Sequence, residues 1–221
     1  MSGANGQAAL DGLRDRIRSE LLERLQFFSL EPRVIIDLGC GAGEGAAALR
    51  KKYRRAQVVA IDMALAMAQA ARRRHRFWRR SDAVCADARA LPLRAQCVDL
   101  VFCNLLLPHC TDPPALFTQV RHVLRPGGLV LFSTLGPDTA VELHAGGQPD
   151  MPRLGAAMSA SGLSEPVLDL ERHPAAGQSG SWEVIYGAAF AGITAPDAVG
   201  TGVGSEFLVP VGALRPRRQS R

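Results

Sequence analysis

The chain has 221 residues, enough for one well-buried core and little beyond it. Apolar residues make up 47% and charged residues 21%, a globular balance; no apolar run is long enough for a membrane span, and MSGANGQAALDGLRD lacks the basic head and apolar stretch of a secretory signal. The net charge of +5 is concentrated in residues 51–55, 72–80 and 215–221, but aromatics are only 5%, so stacking platforms are few and nucleic acid is not expected as a partner.

Leu10, Leu13, Ile17, Leu21, Leu22 and Leu25 recur at helical spacing with charge between them, predicting an amphipathic helix over residues 8–25. Pro32 precedes a short apolar strand at 34–38. Residues 44–53 are Ala-rich and read as helix, and 57–61 form a second strand that stops at Asp62. Residues 64–75 are helical by propensity, with arginines in the last turn, where cations suit the helix dipole. A weaker strand at 82–86 leads to Asp87 and the loop ARALPL, and 98–103 reads as a buried strand closed by Asn104. Asp112, Pro113 and Pro114 look like a cap and first turn leading into a helix at 116–124. Pro126, Gly127 and Gly128 read as a turn before a fifth strand at 129–134. Strands alternating with helices at this spacing predict an α/β, doubly wound, mostly parallel sheet covered on both faces.

Beyond residue 134, a short helix is expected at 151–161, stopped by Gly162, and further strands at 167–170 and 182–190. The linker 173–181 is too short for a crossover helix, so these last strands are read as an antiparallel hairpin at the sheet edge. Residues 206–211 could add a short edge piece, and 191–205 and 215–221 read as loose. The organisation expected is an N-terminal helical region (1–30), a core domain (31–190) and a loosely ordered basic tail (191–221). Cys40, Cys85, Cys97, Cys103 and Cys110 follow no metal-ligand spacing and read as reduced thiols of a cytoplasmic chain. No metal is expected, and a monomer is the default.

Residues 34–43, VIIDLGCGAG, carry the most chemistry. Glycines at 39, 41 and 43 let the chain turn sharply and bring bare backbone N–H groups close to a ligand at the carboxyl end of the first strand. No Lys-Ser/Thr follows, so this is not a P-loop. Glu44 replaces the last glycine of a dinucleotide fingerprint and would repel a pyrophosphate. A zwitterion without phosphate suits the loop better, with Asp37 balancing an ammonium group. Asp62 ends the second strand, where a carboxylate can accept both hydroxyls of a ribose; its competing role is a helix N-cap. Met63 could lie along a flat adenine ring or be ordinary core. Asp87 could accept from the adenine amino group, with the Ala88 N–H facing the ring, or form an Asx turn. Asn104 is either a ligand contact or a strand cap.

VIIDLGCGAG, AID at 60–62, CADARALPL at 85–93, VDLVFCN at 98–104 and LRPGG at 124–128 together resemble the class I S-adenosylmethionine-dependent methyltransferases, in the right order over roughly residues 33–135. The resemblance implies a seven-stranded, Rossmann-like sheet with an antiparallel last strand. It implies S-adenosyl-L-methionine as cofactor, with Gly39, Gly41 and Gly43 around its methionine part, Asp62 on the ribose and Asp87 near the adenine. Residues 104–143, NLLLPHCTDPPALFTQVRHVLRPGGLVLFSTLGPDTAVEL, with EPVLDLER at 165–172 and WEVIYGAAF at 182–190, resemble the malonyl-acyl-carrier-protein O-methyltransferases of biotin synthesis. That likeness implies methylation of the free carboxylate of a malonyl thioester, with acyl-carrier protein as partner.

The chain departs from that family on the acceptor side. No Tyr or Trp precedes Tyr53, Pro108-His109 stands where the family has Gln-Trp, and the segments after GPDT and between the last strands are short. His109 is a candidate acceptor-side residue, able to orient an acceptor or serve as base for a hydroxyl or amine. Methyl transfer to a carboxylate needs no catalytic dyad, since the oxygen is already nucleophilic. The alternatives are a methyltransferase for another small acid or hydroxyl, and a methyltransferase-like binding or regulatory protein without chemistry.

Overall fold

The computed structural model describes residues 2–74, 82–137, 139, 150–174 and 181–192. Within them the chain runs α1 (Ser2–Arg24), β1 (Val34–Leu38), α2 (Glu44–Lys52), β2 (Gln57–Asp62), α3 (Leu65–Arg74), β3 (Asp82–Cys85), β4 (Val98–Asn104), α4 (Pro113–Val123), β5 (Leu124–Leu135), α5 (Met151–Ala160), β6 (Leu163–Pro174) and β7 (Ser181–Ala191). The seven described strands form one sheet in the order β3-β2-β1-β4-β5-β7-β6. β3 through β5 pair in parallel, and β7 runs antiparallel to both β5 and β6. This is the expected doubly wound α/β sheet, with β7 as the strand that runs the other way and β6 outside it. The strand order reverses between β1 and β4, which opens a crevice at their carboxyl ends.

Alternation along the central strands divides the core. Ile36, Val101, Val130, Phe132 and Ile185 face α4 and α5. Ile35, Val58, Leu100, Phe102 and Leu131 face the other way, against Ile17, Leu21 and Leu25 at the N-terminus and Ala46 and Leu49 of α2. The helix caps follow their residue chemistry. Asp112 accepts from Ala115 N (3.0 Å) and Asp150 from Arg153 N (2.9 Å), each followed by a proline in the first turn.

Several boundaries differ from expectation. The turn expected at Pro126, Gly127 and Gly128 lies inside β5: Val98 pairs with Leu124 and Leu100 with Leu129, so the extra residues form a bulge, with Gly127 at φ 76°. β6 is far longer than the 167–170 strand expected, because its exposed-looking polar residues alternate rather than interrupt it. The short edge piece at 206–211 and the tail from 193 onward lie outside the described residues. None of the described helices is long and apolar enough to cross a membrane.

Candidate functional site

The glycine loop folds back onto the end of β2. Gly39 N and Cys40 N donate to Ile61 O (2.8 and 3.0 Å), Gly41 N donates to Asp62 Oδ2 (2.9 Å), and Gly43 N donates to Cys40 O (2.9 Å). The expectation of bare amides is therefore corrected at these four positions, whose N–H groups are spent inside the protein. The glycines serve closeness instead. A Cβ at Gly39 would sit 3.0 Å from Leu106, and one at Gly43 would sit 2.9 Å from the Ala71 backbone. At Gly41 (φ 53°) a Cβ would meet nothing within 4 Å, so this part of the loop faces open space.

Asp37 lies beneath the loop, 3% exposed. Its carboxylate accepts from the Ala46 backbone, while Oδ2 has no hydrogen-bond partner. Burial pushes its pKa up to about 7, against the weaker pull of Arg18 and Arg50. Gly45 makes this packing possible, since a Cβ there would sit 2.8 Å from Oδ2.

At the crevice, Leu38, Gly39, Ile61, Asp62, Met63, Ala86, Asp87, Ala88, Leu106 and His109 line one open cleft of about 150 Å³, with Arg89, Cys110, Thr111 and Leu116 completing it. Of the residues singled out from sequence, the cleft brings together Gly39, Asp62, Met63, Asp87, Ala88 and His109. Asp37, Gly41, Gly43 and Asn104 stand outside its lining. Asp62 is held between two amides, Gly41 N on Oδ2 and Ala64 N on Oδ1, both at 2.9 Å. Each oxygen keeps a further lone pair, because an ionised carboxylate offers about four acceptor sites. Met63 is exposed along the cleft wall. Asn104 takes part in a strand-end network: its Oδ1 accepts from Ser133 Oγ (2.9 Å), which accepts in turn from Leu105 N (3.1 Å).

Two arginines were not singled out from sequence. Arg89 clasps Asp87 through Nε and Nη2 (3.1 and 2.7 Å) and reaches Thr111 Oγ1 with Nη1 (3.1 Å), so it lies across the cleft. The guanidinium holds the Asp87 carboxyl down at about 2. Arg74 donates to Ala42 O (2.9 Å) and pairs with Glu44, strapping the end of α3 to the loop. Glu44 is thus a neutralised carboxylate rather than a bare one. The sequence signal for Arg89 was its place two residues after a strand-end acid; Arg74 gave none, because its partners lie some thirty residues away.

The family described as a methyltransferase domain matches residues 36–132, from β1 through most of β5. The chain is 38% identical over 185 residues to a malonyl-acyl-carrier protein O-methyltransferase of Gallionella capsiferriformans, covering 76% of this chain and 64% of that protein. It is 40% identical over 187 residues to the enzyme of the same name from a Methylovorus species, covering 77% of this chain and 62% of that protein. The chain thus spans about three-fifths of the length of these relatives. Among solved structures, the cyclase SpnF matches with a TM-score of 0.65 at 18% identity, covering 81% of this chain and 82% of that one. A Haemonchus contortus phosphoethanolamine N-methyltransferase 2 in complex with S-adenosyl-L-methionine also matches at a TM-score of 0.65 and 18% identity, covering 79% of this chain and 53% of that one. At that identity, these two likenesses establish the fold.

Proposed function

We propose, from the premise that this chain belongs to the class I S-adenosylmethionine-dependent methyltransferases, that it methylates the free carboxylate of a malonyl thioester carried on acyl-carrier protein. The observation that carries this reading is the 38–40% identity, over about three quarters of the chain, to relatives whose names state that activity. On this reading the reaction belongs to biotin synthesis in the cytoplasm.

The crevice suits the cofactor. When bound, S-adenosylmethionine supplies a methyl group activated on a sulfonium. Gly39, Gly41 and Gly43 would border its methionine part, and the buried, half-unpartnered Asp37 would balance its ammonium group from beneath the loop. Asp62, already oriented by two amides, keeps lone pairs for the ribose hydroxyls. Met63 and Ala88 would flank the adenine, with Asp87 near its amino group and Asn104 at the strand end behind. The acceptor carboxylate needs no base, so the chain's task is to hold it in line and exclude water. Arg72 and Arg73, in the last turn of α3, offer positive charge to an acidic carrier protein. His109 in the cleft favours a second reading, in which the acceptor is a hydroxyl or another small acid.

The test is incubation of the full chain with methyl-labelled cofactor and malonyl-acyl-carrier protein, alongside calorimetry with the cofactor alone. Formation of the methyl ester supports the proposal. Cofactor binding without ester under conditions where a longer relative makes it overturns the acceptor assignment. Absence of cofactor binding overturns both and leaves a binding or regulatory protein.

A further inference from the structure

Asp169, Glu171 and His173 alternate along β6 and so share one face of that strand. Glu20 and Arg24, one turn apart on α1, cover that face. Arg24 bridges Asp169 (2.7 Å) and Glu171 Oε1 and stacks 3.8 Å over the Tyr186 ring. Tyr186 Oη donates to Glu20 Oε2 (2.5 Å). Three carboxylates therefore gather around one guanidinium and a histidine.

The histidine is the informative member. His173 is 6% exposed, and its Nε2 makes no hydrogen bond. That nitrogen points at Glu20 Oε2 (3.4 Å) and Glu171 Oε2 (3.9 Å). Both distances exceed the roughly 2.7–3.2 Å of a normal hydrogen bond. They suit the edges of a coordination polyhedron. Two donors each about 2.1 Å from one tetrahedral ion stand roughly 3.4 Å apart. The three donor atoms all lie within 4.8 Å of one another.

We infer that Glu20, Glu171 and His173 form a binding site for a divalent, zinc-class cation that fastens α1 to the edge of the sheet. One imidazole nitrogen with two carboxylate oxygens is a donor set for zinc or a similar transition ion, whereas calcium and magnesium take oxygen alone. The surroundings orient the ligands. Arg24 occupies Glu171 Oε1 and leaves Oε2 toward His173, while Asp169 takes up part of the Arg24 charge. Tyr186 steadies Glu20. His173 is buried, but the Glu20 and Glu171 side chains are 28% and 40% exposed, which gives the ion an entry path and a solvent-filled fourth position. The cluster shares no residue with the cleft around Asp62, so its role is to hold α1 in place rather than to react.

The full chain, stripped with a chelator, is titrated with Zn²⁺ and with Co²⁺. One equivalent should bind. Cobalt should give the intense visible absorption of a tetrahedral site without a thiolate charge-transfer band, which separates this site from the free thiols of Cys85, Cys97 and Cys110. At a hundredfold excess over Kd, zinc should raise Tm by roughly 5–10 °C. His173→Gln and, separately, Glu171→Gln should each weaken binding by roughly tenfold or more, since even groups that only orient a ligand are worth that much. No saturable binding to the unsubstituted chain, a thiolate band as the cobalt signature, or unchanged affinity in either variant overturns the assignment.

Discussion

Asp37→Asn isolates the cost of the buried carboxylate under the glycine loop. The native carboxyl has a pKa of about 7 against an ordinary 3.8, the rise coming first from burial. Holding it ionised in the folded chain therefore costs about 4 kcal/mol, undiscounted because the group is fully enclosed. Between about pH 4 and pH 7 the folded chain keeps a proton that the unfolded chain has released. This contribution to stability is complete below that window, falls as pH rises through it, and has gone above it. Asparagine retains an acceptor for the Ala46 amide and cannot ionise. Urea unfolding of both proteins from about pH 4 to pH 8 should give difference curves that open by about 4 kcal/mol toward the alkaline end, in favour of the variant. Subtracting the two curves removes every other titrating group common to both. Curves that stay parallel across the window would show that Asp37 ionises at its ordinary pKa, and the argument for a strained buried charge would fail.

Three further outcomes follow from the same geometry. Asp62→Ala should weaken S-adenosylmethionine binding by about 1–3 kcal/mol through lost charged hydrogen bonds, read by calorimetry; unchanged affinity removes the ribose assignment. Arg89→Gln should let the Asp87 carboxyl rise from about 2 toward 3.8, measured by carboxyl NMR titration, and should tighten cofactor binding severalfold by releasing Asp87; equal or weaker affinity in the variant refutes a competition between Arg89 and the adenine. Gly187→Ala should destabilise by about 1–3 kcal/mol or more, because the added Cβ would fall 2.1 Å from the Phe132 ring, and Phe132→Leu should recover part of that loss in thermal melts; the absence of any loss would mean that the ring yields freely.

The central strands were legible because burial on both faces leaves a near-continuous apolar run, as in 100–103, which lies fully buried within the observed β4. β6 was under-read for the opposite reason. Glu171 and His173 continue, on the same face as Asp169, an alternation that packs against α1 with polar partners, so the pattern looks like loop beyond 167–170. At the site, strand-end acids were visible because position alone puts them at the carboxyl edge. Asp62 and Asp87 both line the cleft. The state of those acids was not visible. Asp62 is a cap for Ala64 and a tether for Gly41 at once, and Asp87 is clasped by Arg89, contacts fixed by how β2, α3 and the loops meet. The loop amides show the same limit: glycine spacing predicts a tight turn, but the return onto Ile61 decides where the N–H groups go.

The FSTLGPDT segment, which carries the narrower sequence resemblance, has a physical reason for its residue types. Gly136 N and Thr139 Oγ1 both donate to Glu183 O (2.8 Å each), and Thr139 Oγ1 accepts from Glu183 N (3.0 Å). A side chain at residue 136 would meet Glu183, since an added Cβ would lie 2.7 Å from the Glu183 Cβ. The Glu183 carboxylate is itself buried and paired with Arg172 of β6 at 2.7 Å. One glycine and one threonine thus tie the chain leaving β5 to β7, and through Glu183 to β6. The same fold carries a cyclase in SpnF and a methyltransferase in the Haemonchus protein, so the crevice between β1 and β4 does not by itself choose a reaction. Reaction choice belongs to groups fixed beyond the carboxyl edge. In this chain the Gly136–Thr139–Glu183 hydrogen bonds hold Gly136 and Thr139 against β7 just past the end of β5, and none of the three residues lines the cleft.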